Sequence, residues 1–227
     1  MLISISGEVE QAVIKRIEGI YNQLDAGEPQ YMNKYYPQVV IVPNIERTVV
    51  VSNTAQSDII MLLPYDGTLN TLPYYSIINS YLGVMPNSLL FDVLRNQQGY
   101  VYTVRSVLYE NAGHKFWLIT LGTDFNKAKD AKAATIDIIK GLGRSDQGII
   151  AELNLARQWL VYNNLNRFVT NEAIASTLNY LQMQGYTQDT FVKSARSYES
   201  FDNIEIIKIL QNNFSNPNIT VVRTVNK

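Results

Sequence analysis

The spacing of apolar positions divides the first sixty residues into one predicted helix and three predicted strands. Val9 to Leu24 places apolar residues three and four positions apart, which predicts an amphipathic helix after a short strand at Leu2 to Ser6. Arg47 to Ser52 and Ser57 to Leu63 have strand character, and the polar residues between them favour a hairpin. The intervening Asp25 to Asn44 has no helical period and contains three prolines, which predicts an extended linker.

The rest of the chain continues this mixture, with strands concentrated early and helices late. Further strands are predicted at Tyr100 to Tyr109, Lys115 to Gly122 and Ile219 to Val225. The predicted helices are Leu72 to Leu82, Asn87 to Leu94, Asn126 to Leu142, Gln147 to Arg167, Asn171 to Gln184, Thr187 to Ser197 and Asn203 to Asn213.

This order of elements predicts an α+β fold, with a mixed or antiparallel sheet of about five or six strands covered on one face by helices. It also predicts three regions along the chain: a strand–helix lead-in over residues 1–24, a linker over 25–45 and one α+β domain over 46–227.

Composition and charge exclude several classes of partner. The chain has 227 residues, of which 46% are hydrophobic, and a formal net charge of −1 with scattered Lys and Arg. Nucleic acids and anionic lipids require clustered positive charge, so neither is expected as a partner. The sequence shows no apolar run of the roughly 20 residues that span a bilayer. The first residues resemble the middle of a strand and not a signal peptide, which favours a fragment of a longer protein and leaves the compartment open between bacterial cytoplasm and periplasm.

Several kinds of catalytic chemistry lack their residues. There is no cysteine, and His114 is the single histidine, predicted to lie in the turn after Glu110. Neither a H-x-x-E-H nor a H-E-x-x-H motif is present, so no zinc or other cofactor is expected in this chain. The pair Gly141 and Gly143 follows a predicted helix and indicates a helix stop and not a nucleotide-binding loop.

The most informative segment runs from Tyr75 to Val104. It predicts a helix, a break at Gly83, a second helix ending at Leu94-Arg95, a turn through Gly99 and a strand. Alternation along that strand would direct Tyr100 and Tyr102 to one face. Arg95 at a helix C-terminus is favoured by the helix dipole, and an Arg and a Tyr placed in this way can point into a common groove.

These residues resemble the C-terminal, zinc-free half of pitrilysin/insulinase-type zinc metallopeptidases. Leu82-Gly83 matches that family's leucine–glycine pair, and Ser88-Leu89-Leu90-Phe91 is similar to its Ser-Arg-Leu-Phe stretch. Leu94-Arg95 followed by Gly99-Tyr100-Val101-Tyr102 is similar to its Leu-Arg-Glu-Lys-x-Gly-Leu-x-Tyr stretch. Weaker matches occur at Ile5 to Val9 and at Ile150 to Arg157.

The resemblance implies a specific role. Members of this family have two similar α+β halves that face each other across a chamber, and the zinc-free half supplies an Arg and a Tyr seven residues apart. In this sequence they are Arg95, implied to bind a backbone carbonyl of the peptide, and Tyr102, implied to donate a hydrogen bond to the developing oxyanion. Zinc is then expected in a partner half, and this chain alone is not expected to be a peptidase. The Tyr31, Tyr35 and Tyr36 cluster is interpreted as packing or as contact between the halves, and homodimerisation through the sheet face and helical flank is a further expectation.

A second interpretation stays open, since some positions depart from the family pattern. The glycine-rich turn is replaced by Val84 to Asn87, the Arg of the Ser-Arg-Leu-Phe stretch is Leu89, and the Leu before the Tyr is Tyr100. Such changes are compatible with a non-catalytic structural or interaction subunit derived from the same family. Arg95 and Tyr102 would then be an ordinary helix-terminal cation and an ordinary aromatic side chain.

Overall fold

The computed structural model describes residues 3–24, 44–52, 54–68, 70–111, 114–166, 169–183, 196–199 and 201–226. The chain divides into two compact units. One unit contains residues 1–37 and 161–196, and the other contains residues 38–160 and 197–227. The division predicted from the sequence, with bounds at residues 24 and 45, stays a prediction. The predicted linker lies almost entirely outside the described residues, as do Tyr31, Tyr35 and Tyr36.

The unit that begins at residue 38 contains a five-stranded mixed sheet. Its strands are β1 (Glu46–Val51), β2 (Gln56–Pro64), β3 (Thr103–Asn111), β4 (His114–Asp124) and β5 (Thr220–Asn226). They lie in the order β1-β5-β2-β4-β3. Strand β1 is parallel to β5, and the other neighbours are antiparallel. The α+β fold with a mixed sheet, predicted from the sequence, is confirmed.

One face of this sheet forms the core. Residues of β2 alternate between buried and exposed, and Ile59 and Met61 are fully buried. Trp117, Ile119 and Leu121 of β4 are buried on the same face as their partners in β2. Helices cover this face because burying alternate apolar side chains of an antiparallel sheet needs a second layer.

The covering helices follow the strands in the chain. They are α2 (Leu72–Asn79), the short α3 (Leu89–Phe91), α4 (Ala128–Leu142) and α7 (Asn203–Phe214). Helix α5 (Ile150–Asn166) runs from this unit into the other one, which also contains α1 (Gln11–Tyr21) and α6 (Asn171–Met183). The predicted helix at Thr187 to Ser197 lies mostly outside the described residues.

Three local predictions were wrong. Residues 3–6 form no strand. Strands β1 and β2 do not form a hairpin, because β5 from the end of the chain lies between them. His114 is the first residue of β4 and not a turn residue, since the pairing of β3 with β4 extends to Asn111 and His114.

The predicted break in the helices at Gly83 is present but extends further than expected. Helix α2 continues into a π-helical turn at Ser80–Val84, and α3 continues into another at Asp92–Gln97. Gly83 itself has a non-helical backbone, with φ −161° and ψ 21°. The run Leu72–Gln97 still has the length and apolar character of a membrane-spanning helix, at a mean hydropathy of 1.2. Core helices of soluble proteins meet the same criteria, so one such run is only weak evidence for a membrane span.

The predicted helix stop at Gly141 and Gly143 is confirmed, with a different cause. Helix α4 ends at Leu142, but Gly143 has an ordinary helical φ of −67°. Its hydrogen faces the end of α7, where a Cβ would lie 2.1 Å from the backbone nitrogen of Ser215. Gly143 is therefore required for the close approach of α4 and α7 and not for a left-handed cap.

Candidate functional site

Arg95 lies in the last turn of the second helical segment. Its side chain is exposed, and the guanidinium carbon stands 5.0 Å from the ring centroid of Phe91 one turn earlier. A cation over an aromatic face is attracted by the ring quadrupole, which orients the guanidinium without using its hydrogen-bond donors. The backbone around it is fixed by the buried side chain of Leu94.

A tight turn connects this helix end to β3. The amide of Tyr100 donates to the carbonyl of Leu94 at 2.8 Å, which closes the end of the helix. Gly99 has φ +62°, a left-handed conformation that glycine adopts without steric cost. The chain then enters the sheet when the amide of Tyr102 donates to the carbonyl of Gly122 at 2.8 Å.

Tyr102 lies just before β3 and not within it. The predicted strand start at Tyr100 was therefore wrong, because β3 begins only at Thr103. Tyr100 is half-buried and Tyr102 is 48% exposed. The structure thus places Arg95 and Tyr102 at the two ends of one short turn, both with exposed side chains.

The phenol of Tyr102 has a specific partner. Its hydroxyl donates to Oδ1 of Asp124, the last residue of β4, at 2.8 Å. This hydrogen bond, with smaller contributions from desolvation and from the negative charge of Asp124, raises the pKa of the Tyr102 phenol above its ordinary value. Tyr102 is therefore protonated at neutral pH and remains a hydrogen-bond donor.

Residues 123–127, where β4 leads into α4, form the β4–α4 corner and contact the turn at several points. Nζ of Lys127 donates to the carbonyl of Gly99 at 3.0 Å and lies 3.9 Å from Oδ2 of Asp124. The hydroxyl of Thr123 donates to the carbonyl of Tyr100 at 2.5 Å. Side chains from residues 123–127 thus contact the backbone or side chain of three residues in the turn.

Asp124 and Lys127 were not among the residues selected from the sequence. They lie more than twenty positions after the turn that they contact, and no spacing rule connects such distant residues. Their only local signal is Gly122, which precedes them in β4. A Cβ there would lie 2.6 Å from Oγ1 of Thr103, so Gly122 leaves room for the side chain of the first residue of β3.

The leucine–glycine pair also has a physical explanation. Gly83 packs on β3, where a Cβ would lie 2.6 Å from Cβ and 2.8 Å from the backbone nitrogen of Ser106. Ser106 donates to Oδ1 of Asn79 at 2.6 Å and accepts from Nε1 of Trp117 at 2.6 Å. This buried network fixes the broken helix against the sheet and so positions the segment that leads to Arg95.

A separate cavity of about 560 Å³ lies at the other end of the sheet. It is lined by residues that include Pro64, Asp66, Tyr75 and Asn213. Pro64 pairs with Phe116 at one end of β2, and Gln56 pairs with Asp124 at the other end. The eight residues from Gln56 to Pro64 correspond to roughly 26 Å along the strand. Neither Arg95 nor Tyr102 lines this cavity, so the two features are independent. Within the part of the chain that the structure describes, no group of three or more His, Cys, Asp or Glu side chains could hold a metal ion.

Comparison with known proteins supports the family and the fold. Residues 1–153 match the sequence family described as the peptidase M16 inactive domain. No curated protein matches the chain significantly. The family match covers two thirds of the chain and includes both Arg95 and Tyr102.

Solved bacterial structures have the same fold at low sequence identity. A protease from Helicobacter pylori matches with a TM-score of 0.76 and 12% identity, over 96% of this chain and 53% of its own. A conserved protein from Enterococcus faecalis V583 matches with a TM-score of 0.68 and 16% identity, over 97% and 51%. A peptidase M16 inactive domain from Pseudomonas fluorescens matches with a TM-score of 0.66 and 15% identity, over 81% and 43%.

The chain therefore spans about half the length of the solved structures that it matches. Sequence identities of 12–16% support the fold alone. The family assignment rests instead on the sequence match over residues 1–153. The resemblance to pitrilysin/insulinase-type metallopeptidases is confirmed, and the chain belongs to the peptidase M16 family as an inactive-domain member.

Proposed function

We propose that this chain is the zinc-free half of a two-part zinc metallopeptidase and contributes peptide binding and oxyanion support. The observation that carries the proposal is the pair Arg95 and Tyr102, both exposed at the ends of one turn that the β4–α4 corner holds. Arg95 offers guanidinium donors to a backbone carbonyl of an extended peptide. Tyr102 offers a phenol donor to the oxygen on which charge develops. A donor aimed at such an oxygen contributes about 3 kcal/mol to transition-state stabilisation.

In this proposal, a partner carries out the zinc chemistry. A zinc-bearing half-domain or subunit supplies the metal and its activated water, and peptide is the substrate. The share of the solved relatives that this chain covers, about half, supports the presence of such a second half.

The proposal is tested by reconstitution. The chain is mixed with the zinc-bearing half encoded by its own gene or a neighbouring one, and peptide cleavage is measured. Arg95→Ala and Tyr102→Phe are each expected to lower kcat/KM by about 100-fold. Arg144→Ala and Tyr109→Phe, which change exposed residues of the same unit away from the turn, serve as matched controls. Equal rates for all four variants would exclude the catalytic-support role.

A non-catalytic subunit is the second candidate, and one observation favours it. The single hydroxyl proton of Tyr102 is already directed at Asp124, so the phenol is not free to donate elsewhere without losing that bond. A chain that assembles with its zinc-bearing partner, but whose Arg95→Ala and Tyr102→Phe variants leave cleavage unchanged, would have this role.

Self-association is a third property to measure. We propose that the isolated chain forms a homodimer through the sheet face and helical flank that would contact a sister half. Light scattering over a range of concentrations decides this, because a constant monomer mass would exclude the dimer.

A further inference from the structure

The hydrogen bond between Tyr102 and Asp124 bears on when the phenol can act. A phenol has one proton to donate, and in this structure the Tyr102 hydroxyl donates it to Oδ1 of Asp124, with 2.8 Å between the two oxygens. The other carboxylate oxygen faces Nζ of Lys127 at 3.9 Å, too far for a strong ion pair between partly exposed groups. Asp124 thus keeps its capacity to accept from Tyr102.

We propose that Asp124 is a competing acceptor that a substrate carbonyl must displace before Tyr102 can bind the substrate. The inference rests on the proposed function, since it concerns the same phenol. It assigns to Asp124 control over the availability of the phenol, which is separate from the support given to the turn by Thr123 and Lys127.

The competition follows from the strengths of the two acceptors. A hydrogen bond to an ionised carboxylate is roughly twice as strong as one to a neutral carbonyl. A neutral peptide oxygen therefore gains little from Tyr102 while Asp124 is ionised and in place. When the carboxylate is removed, the same phenol is free to donate, and the peptide gains a hydrogen bond worth about a two- to tenfold change in Kd.

The experiment is a double-mutant cycle on peptide binding. An end-capped extended peptide of about six residues without charged side chains is titrated against the wild-type chain, Asp124→Ala, Tyr102→Phe and the double variant. Asp124→Ala is expected to tighten Kd by about two- to tenfold. That gain should vanish in the Tyr102→Phe background, because the phenol is then absent.

Two further variants separate competition from other effects. Asp130→Ala removes a negative charge from an exposed position of α4, and no change in Kd is expected from it. Asp124→Asn keeps the shape of the side chain but replaces the carboxylate by a neutral amide, whose oxygen is a weaker acceptor. It should change Kd in the same direction as Asp124→Ala, and it replaces that variant if the alanine chain does not fold. An NMR titration of the phenol in the Asp124 variants should show a lower pKa for Tyr102 than in the wild type.

The outcomes are distinct for the inference and for the proposed function. A gain that persists without the Tyr102 hydroxyl, or no gain in either Asp124 variant, overturns the inference. The proposed role of Tyr102 is judged separately by kcat/KM in the reconstituted enzyme, because donation to a developing oxyanion acts in the transition state and not on the Kd of a peptide. If the wild type binds no peptide but an Asp124 variant does, the inference is supported. If neither the wild type nor any variant binds the peptide, the inference is contradicted.

Discussion

At the scale of single residues, glycines decide how closely the elements of this fold approach each other. Gly83 lies against the backbone of β3 and Gly143 against the start of the turn after α7, and neither site has room for a Cβ. The sequence showed Gly83 as part of a family pair but could not show that Ser106 is the residue it contacts. Arg95 was likewise predictable, since a cation near a helix C-terminus is a local pattern. Asp124 was not, because its partnership with Tyr102 exists only after β4 has paired with β3.

Gly83→Ala is expected to destabilise the fold by about 1–3 kcal/mol, the usual cost of overpacking. The added Cβ would lie 2.6 Å from Cβ and 2.8 Å from the backbone nitrogen of Ser106, and the backbone atom cannot rotate away. For a chain of this size each kcal/mol lowers Tm by roughly 2–4 °C. Thermal unfolding followed by circular dichroism measures the change. Gly141→Ala is the control, because a Cβ at Gly141 has no neighbour within 4 Å and should leave Tm unchanged or raise it.

At the scale of elements, local patterns located the strands well but paired only some of them correctly. Strands β3 and β4, which were predicted on either side of a turn after Glu110, do pair with each other, as a short connection between two strand patterns favours. Strand β1 was paired with the wrong partner, since its neighbour β5 lies about 170 residues later and leaves no local signal. The start of β3 was placed too early because tyrosines favour strands, whereas here a glycine turn and a helix end hold residues 99–102.

Two ion pairs that share Glu46 connect β1 to β5 and to α4. Glu46 of β1 contacts Nε of Arg223 in β5 and Nζ of Lys132 in α4, each at 2.7 Å. The hydrogen bond from Lys132, followed by the charge of Lys132 and the contacts of Arg223, lowers the pKa of the Glu46 carboxyl, although burial opposes this. The carboxylate is 38% exposed, so solvent screens the interaction and its contribution is below about 1 kcal/mol.

Glu46→Gln should therefore lower the free energy of unfolding by less than about 1 kcal/mol at neutral pH. The folded-state pKa lies below the ordinary value of 4.5. The contribution is then present above pH 4.5 and is lost as the pH falls through the folded-state pKa. Urea unfolding of both chains at a series of pH values should show curves that converge in acid. Asp137→Asn on the exposed side of α4 is the control and should show no such convergence, and a difference that persists in acid would contradict the assignment.

At the scale of the whole molecule, the two ends of the second unit depend on each other. Strand β5 lies between β1 and β2, so the last strand of the chain completes the sheet that the first strands begin. Among the described residues, β1 pairs with no other strand. The order of strands was the part of the fold that the sequence left undetermined, because a parallel pair between distant segments depends on the packing of every element between them.

Removal of residues 220–227 is expected to abolish cooperative unfolding of the sheet unit. The deletion takes away the hydrogen-bonding partner of β1 and one of the two partners of β2, and it exposes core side chains next to the buried Val221 site. Loss of a sigmoidal urea transition, together with loss of near-ultraviolet dichroism from the buried Trp117, is the expected measurement. A synthetic peptide of residues 216–227, added in excess, should restore both signals by supplying β5 in trans, whereas a scrambled peptide should not. A shortened chain that unfolds cooperatively at the wild-type urea midpoint would show that β1 and β2 hold together without β5, and the order of strands would then not determine the stability of this unit.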